Sequence, residues 1–95
     1  MSFGVISAWT SSVPNNEAMK AEARNKYAPA VKSLGASHVY FIETGESTFN
    51  VVTIYPDEAT ANSARDKQNA VRASATAELP IKMVGEQRGD VFASG

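Results

Sequence analysis

The feature that most constrains the fold is a pair of neighbouring segments that are apolar on both sides. Ser37–Thr44 and Thr48–Tyr55 are rich in β-branched and aromatic residues, and Gly45 and Glu46 lie near the break between them. This composition and spacing predict a β-hairpin. A two-residue turn with Gly at its first central position would pair Thr44 with Ser47.

That turn predicts which hairpin side chains share a face. One face would carry His38, Tyr40, Ile42, Phe49, Val51, Thr53 and Tyr55, and the other Val39, Phe41, Glu43, Asn50, Val52 and Ile54. Because both sets contain large apolar side chains, the sheet needs a cover on each side.

The segments before the hairpin predict a strand and a helix. Phe3–Trp9 has the composition of a strand, and Asn15 or Asn16 can cap the start of a helix. Apolar residues then recur at spacings of three and four, which places them on one helix face: Met19, Ala23, Tyr27, Ala30, Val31 and Leu34. Gly35 supplies a left-handed stop, and Pro29 predicts a kink because it lacks an amide donor.

The segments after the hairpin repeat this order. Pro56, Asp57 and Glu58 open a second, Ala-rich helix that Leu79 and Pro80 end. Its narrow apolar stripe is predicted to consist of Ala59, Ala64, Val71, Ala75 and Leu79. Residues 81–92 predict a final strand, in which Gly85 or Gly89 marks a bulge or bend.

The order strand, helix, strand, strand, helix, strand predicts a ferredoxin-like α+β fold, βαββαβ, with a four-stranded antiparallel sheet. The 95 residues suffice for one domain, 1–95. Both helices lie on the same side in this fold, so one apolar face stays uncovered. We therefore expect a homodimer in which two sheets pack face to face.

Composition excludes several classes of function. Nine Lys and Arg residues against ten Asp and Glu give a net charge of −1, which argues against nucleic acid as a partner. The chain has no Cys and a single His, so neither a thiol nucleophile nor a metal site is expected, and no cofactor is implied. No apolar run approaches the length of a membrane span, and the start of the chain lacks a secretion signal. We expect a cytoplasmic protein with no membrane partner.

A local motif carries a resemblance to a known superfamily. The segment 49–59, FNVVTIYPDEA, resembles the junction of third strand and second helix in the antibiotic-biosynthesis-monooxygenase-like dimeric α+β barrels. The resemblance implies a homodimeric barrel, in a group that includes cofactor-independent quinone-forming oxygenases, haem-degrading enzymes and small isomerases. Two positions depart from the common pattern, with Tyr55 where Trp is frequent and Thr53 where Glu is frequent. The second helix has no His, so a helix-borne haem ligand has no counterpart.

Six residues are candidates for a functional site. His38 is the candidate general base, because its unperturbed pKa lies near neutrality, and Tyr55 is predicted at the same end of the sheet. Trp9, Tyr27, Tyr40 and Asn50 are candidates for binding an aromatic or quinone-like ligand. Packing in the core, or a structural role for His38, is the alternative at each position.

Three hypotheses of function follow. The first is a homodimeric protein that binds a small apolar or aromatic molecule. The second is a cofactor-independent monooxygenase or isomerase acting on an aromatic or quinone-like substrate. The third is a purely structural dimer, and an enclosed cavity with converging polar groups would discriminate against it.

Overall fold

The computed structural model describes all 95 residues. The strands are β1 (Phe3–Ser11), β2 (His38–Gly45), β3 (Thr48–Tyr55) and β4 (Ile81–Asp90). The helical segments are α1 (Glu17–Glu22), a π-helical turn (Ala23–Tyr27), α2 (Ala28–Lys32) and α3 (Glu58–Glu78). None of the helices is both long and apolar enough to cross a membrane.

The four strands form one antiparallel sheet in the order β2-β3-β1-β4. This order and the βαββαβ sequence of elements confirm the predicted ferredoxin-like fold. Alternate residues of β1 are buried, beginning with Phe3 and Val5, and these pack with Ala61 and Ala64 of α3. The helices therefore cover one face, here called the helix face, and the other is called the open face.

The ends of the helices are fixed by the side chains that the sequence indicates. Oδ1 of Asn16 accepts a 3.0 Å hydrogen bond from the amide of Met19 at the start of α1. Asp57 caps α3 in the same way, through a 2.7 Å bond from the amide of Thr60. Gly35, after α2, has φ +105°, a conformation that favours glycine. The polar caps set the start of both helical regions, and Gly35 sets the end of the first.

The helix containing Pro29 departs from α geometry as a π-helical turn rather than a simple kink. The turn spans Ala23–Tyr27, and the amide of Ala28 donates to the carbonyl of Ala23, five residues earlier. Pro29 lies in the first turn of α2, where a missing amide donor is tolerated. The widened turn before Pro29 lets the chain stay helical from residue 17 to residue 32.

The predicted register of the hairpin is wrong by one residue. Ile42 lies opposite Asn50 instead of Phe49, and Tyr40 lies opposite Val52. The cause is at the turn, where Gly45 pairs with Thr48 and the register shifts between Glu43 and Gly45. A Cβ at Gly45 would lie only 2.6 Å from Oγ1 of Thr48, so this glycine permits a close approach of the two strands.

The corrected register sorts the hairpin into two new sets. The helix face carries Val39, Phe41, Glu43, Phe49, Val51, Thr53 and Tyr55, and the open face carries His38, Tyr40, Ile42, Asn50, Val52 and Ile54. Tyr40 and Ile42 on the open face are 52% and 48% exposed. The expectation that one apolar set stays uncovered in a single protomer therefore holds, although its membership differs.

The remaining differences concern α3 and β4. Ala64 and Ala75 of the predicted stripe are buried, whereas Ala59 is exposed and Gln68 is buried instead. Strand β4 ends at Asp90, and its pairing with β1 shifts beside Gly85, where Ala8 pairs with Gly85 and Trp9 with Met83. A bulge was thus correctly expected near a glycine of this strand.

Candidate ligand cavity

A cavity of about 440 Å³ lies between the helix face of the sheet and the helices. It is lined by residues of β1, β2 and β3, of the helical region 17–32, and of α3. Fifteen of its 22 lining residues are hydrophobic. A mostly apolar cavity of this size matches the usual binding sites of small molecules.

The sheet side of the cavity is a row of three nearly parallel aromatic rings. The rings of Trp9 and Phe49 lie 6.0 Å apart between centroids, with an interplanar angle of 5°. Phe41 continues the row at 6.2 Å and 18° from Phe49. The row arises because Trp9 pairs with Phe49 across strands, while Phe41 lies on the same face of the neighbouring strand. It places three aromatic side chains in succession along this side of the cavity.

Ser7 fixes the position of the Trp9 indole. The two residues face the same side of β1, and Nε1 of Trp9 donates a 2.8 Å hydrogen bond to Oγ of Ser7. Both residues are buried and both line the cavity. Because a buried indole N–H needs an acceptor, the pair allows a polar indole edge inside an apolar site.

Tyr27 lies across the cavity from the sheet, at the end of the π-helical turn. Its hydroxyl donates a 2.6 Å hydrogen bond to Oε2 of Glu78, which also accepts from Nζ of Lys26. Burial raises the pKa of Tyr27, and the hydrogen bond to Glu78 adds to this effect. The hydrogen bond from Lys26 lowers the pKa of Glu78. These contacts join the first helical region to the end of α3.

Gln68 connects α3 to the sheet through a buried polar network. Its Oε1 accepts a 2.8 Å hydrogen bond from the hydroxyl of Tyr55, and its Nε2 donates to Oγ1 of Thr53 at 3.3 Å. All three residues are buried, and only Gln68 lines the cavity. Burial raises the pKa of Tyr55, so its hydroxyl stays protonated as a donor.

Arg72 lies one helical turn after Gln68 and also lines the cavity. Its Nη1 donates to Oε2 of Glu86 and, at 3.1 Å, to Oδ1 of Asn69. Its Nη2 is buried without an acceptor in the protein. The Arg72 and Glu86 side chains are 13% and 20% exposed, so this ion pair is mostly screened from solvent.

Polar residues also gather where the cavity meets the hairpin turn. Glu43 accepts hydrogen bonds from Nζ of Lys20 at 3.2 Å and from Nδ2 of Asn15 at 3.1 Å. The bond from Lys20 and then that from Asn15 lower the pKa of Glu43, which is therefore ionised at neutral pH. Nδ2 of Asn15 also donates to two hairpin carbonyls, of Gly45 and Thr48. These bonds hold the start of the first helical region against the hairpin.

Two of the four predicted ligand-binding residues, Trp9 and Tyr27, are buried and line the same cavity. Tyr40 also borders the cavity, but its ring stacks on His38 at 5.9 Å, and His38 belongs to the open face. Asn50 is paired with Ile42 on the open face and does not line the cavity.

The structure does not bring His38 and Tyr55 together. They lie at the same end of the sheet, as expected, but on opposite faces, because His38 pairs with Ile54, the neighbour of Tyr55. Tyr55 is fully buried on the helix face, and His38 is exposed. The register error explains the difference, since the predicted turn placed both residues on one face.

The sequence interpretation missed two polar residues of the cavity lining, Gln68 and Arg72. Neither residue belongs to the apolar stripe predicted for α3. A signal was available, since Ala64, Gln68, Val71 and Ala75 continue one helix face at spacings of three and four. A glutamine on such a face indicates a buried hydrogen-bond network when sheet hydroxyls lie opposite.

No protein-family model and no curated protein matches this sequence. Solved structures do resemble it. An ethyl tert-butyl ether D (EthD) family protein from Bacillus halodurans has a TM-score of 0.69 and 17% identity, over 97% of this chain and 100% of the other. A dimeric ferredoxin-like protein from an uncultured marine organism has a TM-score of 0.68 and 16% identity, over 99% of this chain and 98% of the other.

A third similar structure comes from Nitrosomonas europaea and is provisionally described as an antibiotic biosynthesis monooxygenase. It has a TM-score of 0.58 and 17% identity, over 98% of this chain and 94% of the other. At these identities the likeness concerns the fold. The comparisons therefore support the ferredoxin-like fold of the chain.

Proposed function

We propose that the protein is a homodimer whose protomers each bind a small, flat, apolar or aromatic molecule in the cavity. The observation that carries the proposal is the row of parallel Trp9, Phe49 and Phe41 rings along a cavity of about 440 Å³. Such rings favour a planar ligand, which can stack or pack edge to face against them. Tyr27 lies on the helical side, so a bound molecule would have aromatic groups on both sides.

The homodimer is supported by the composition of the open face. Ile6, Tyr40 and Ile42 are 40%, 52% and 48% exposed, and Val52 and Ile54 lie half-buried beside them. A contiguous apolar sheet face is typical of a surface that another molecule covers. A second copy is the occupant we propose, because a structurally similar ferredoxin-like protein is described as dimeric.

Catalysis by a cofactor-independent monooxygenase or isomerase is the second candidate function. Its support is that one similar structure is described as a monooxygenase. Binding without catalysis is favoured because the only His does not line the cavity, and because the Tyr27 hydroxyl donates to Glu78. His38 as a base would have to act on the open face, near Tyr40.

The proposal is tested by titrating the protein with flavone, a flat unreactive aromatic compound, while following the fluorescence of Trp9, the only Trp. We expect saturable quenching. Ala75 is buried and lines the cavity, so Ala75→Leu should fill part of it and weaken binding about tenfold.

The matched control is Ala73→Leu, at an exposed position of the same helix, which should bind as the wild type does. Circular dichroism verifies that both variants are folded. Linear, non-saturating quenching of the wild type, or equal affinities of the two variants, would contradict the binding proposal.

A further inference from the structure

Two glycines leave a gap in the open face near one end of the sheet. Gly4 of β1 pairs with Gly89 of β4, and both occupy open-face positions next to the Ile6 pair. Neither glycine has a positive φ, so the backbone conformation does not require glycine there. A Cβ at Gly89 would meet no atom within 4 Å. The gap is bordered by Ile6, Val52 and Ile54 and is called the glycine notch.

The glycine notch fits an apolar occupant. Glycine inside a strand often marks a place where another group approaches the backbone closely. The open-face side chains around the notch are apolar apart from Gln87. Arg88 donates to Oδ1 of Asn62 on α3, and Asp90 pairs with Phe3 on the helix face, so both charges lie away from the notch. An apolar side chain can therefore enter the notch without leaving a charged group unpaired.

Phe92 is a large apolar side chain without a partner in the protomer. It follows β4 and is 93% exposed, more than any other large apolar residue of the chain. The amide of Val91 donates a 2.9 Å hydrogen bond to the carbonyl of Ser2, which extends the pairing with β1 beyond Asp90. The chain therefore leaves the sheet beside the glycine notch, which Val91 also borders. Burial of a phenylalanine ring is among the larger hydrophobic gains that one side chain offers.

A second copy of the chain is the occupant that the protomer favours. Its own Phe92 does not fill the notch, because the ring is exposed. Each copy carries one notch and one such ring, so in a two-fold dimer the same contact forms twice. The notch is also continuous with Ile6, Val52 and Ile54 of the open face, the surface that the second copy covers in the proposed homodimer.

We infer that Phe92 of the partner subunit lies in the glycine notch of each protomer. The inference rests on the proposed homodimer and adds the residue that the two copies exchange. It also gives Gly4 and Gly89 a role, since neither has a backbone conformation that requires glycine.

Disulfide cross-linking tests the contact, because the native chain has no cysteine. The double variant Phe92→Cys with Ile54→Cys is prepared in ¹⁵N-labelled and unlabelled forms, which are mixed, unfolded under reducing conditions and refolded together. A disulfide forms only where the two Cα atoms lie within about 7 Å of each other. After oxidation, mass spectrometry should find 92–54 bonds that join a labelled to an unlabelled peptide, which arise only between subunits.

The matched control is the double variant Phe92→Cys with Ile42→Cys. Ile42 lies on the same open face but close to the hairpin turn, and it is more exposed than Ile54, so random collisions would favour it. We expect far fewer bonds in the control than in the Ile54→Cys variant. Equal yields in the two variants, or 92–54 bonds found only between peptides of one isotope, would overturn the inference.

Filling the notch tests the same contact without a cross-link. Gly89→Val occupies the space, whereas Gly85→Val adds the same side chain on the same face of β4 outside the notch. Neither added Cβ meets an atom of the protomer within 4 Å, so both variants should fold, which circular dichroism verifies. Phe92→Ala should raise the dimer dissociation constant at least about tenfold in sedimentation equilibrium, because two rings lose their contacts.

The combined variants show whether the ring and the notch interact. Gly89→Val should change the dissociation constant little once Phe92→Ala is present, because the ring that the valine displaces is already absent. Gly85→Val, the control, should have the same effect with and without Phe92→Ala. Independent effects of Gly89→Val and Phe92→Ala would overturn the inference.

The outcomes separate this inference from the homodimer itself. A wild-type protein that is monomeric at all concentrations would refute the proposed homodimer, and the inference with it. A dimeric wild type whose double variant forms no 92–54 bond between subunits would leave the homodimer intact and overturn the inference alone.

Discussion

The side-chain oxygen of Gln68 on α3 accepts a 2.8 Å hydrogen bond from the hydroxyl of Tyr55 on β3. Both residues are buried, so the bond couples a helix to the sheet inside the core. Replacing Gln68 by Leu would leave the Tyr55 hydroxyl without its acceptor.

We expect Gln68→Leu to lower the free energy of unfolding by about 1–3 kcal/mol, the cost of a buried polar group left unpaired. Adding Tyr55→Phe to this variant should restore part of the loss, because the phenol oxygen is then absent. Urea denaturation measures the effect, and Lys67→Leu, at an exposed position of α3, is the control. If the loss in the double variant equals the sum of the losses in Gln68→Leu and Tyr55→Phe, the bond does not contribute to stability.

Ser7→Ala tests how the Trp9 indole is held. The variant removes the acceptor of a buried indole N–H, so we expect a loss of about 1–3 kcal/mol in unfolding free energy and a change in the Trp9 emission maximum. Chemical denaturation followed by fluorescence measures both. Ser12→Ala, at an exposed position just after β1, should leave both unchanged. An unaltered emission spectrum in Ser7→Ala would contradict the role of Ser7 in positioning the Trp9 indole.

The ionisation of Glu78 makes stability depend on acid pH. Hydrogen bonds from Lys26 and Tyr27 lower the pKa of Glu78 in the folded protein from 4.5. The stability contributed by this carboxylate is therefore present above about pH 4.5 and is lost as the pH falls through the folded pKa.

Between about pH 5 and pH 3 we expect Glu78→Gln to lose less stability than the wild type, measured as thermal midpoints. Asp57, whose pKa is lowered by its bonds to Thr60, acts in the same acid range, so the variant should keep a residual pH dependence. Glu46→Gln is the control, at an exposed position of the hairpin turn. Identical pH profiles for Glu78→Gln and the wild type would show that the ionisation of Glu78 does not cause this loss of stability.

The proposed dimer is tested by placing a charge on the open face. Ile42→Asp should convert a particle of about twice 10.1 kDa into one of 10.1 kDa in light scattering, because a buried unpaired carboxylate disfavours association. Val13→Asp is the matched control, since Val13 is 39% exposed but lies outside the sheet. A wild-type protein that stays at 10.1 kDa at all concentrations would exclude the homodimer.

The sequence predicted the order of elements and the helix caps because these depend on local signals. Asn16 and Asp57 cap helices within three residues of themselves, and Gly35 has a positive φ that glycine adopts at low cost. The need for a second cover on the sheet also followed from the sequence, because both sides of the hairpin are apolar under either register.

The hairpin register and the burial of Gln68 could not be predicted from local signals. The register depended on whether Gly45 serves the turn or the close approach to Thr48, and both uses suit a glycine. The burial of Gln68 depended on a hydroxyl contributed by Tyr55, which only the tertiary arrangement brings within reach. One misplaced residue at the turn then displaced His38 and Asn50 from the faces expected for them.

The π-helical turn at Ala23–Tyr27 has a consequence for insertions and deletions in this chain. Such a turn behaves as an α-helix into which one residue has been inserted. Deleting Asn25 would remove the extra residue of this turn, and the deletion would rotate the preceding segment by about 100° relative to α2. Met19, which lines the cavity now, would turn away from it. The number of residues in this turn therefore determines which side chains of α1 face the cavity.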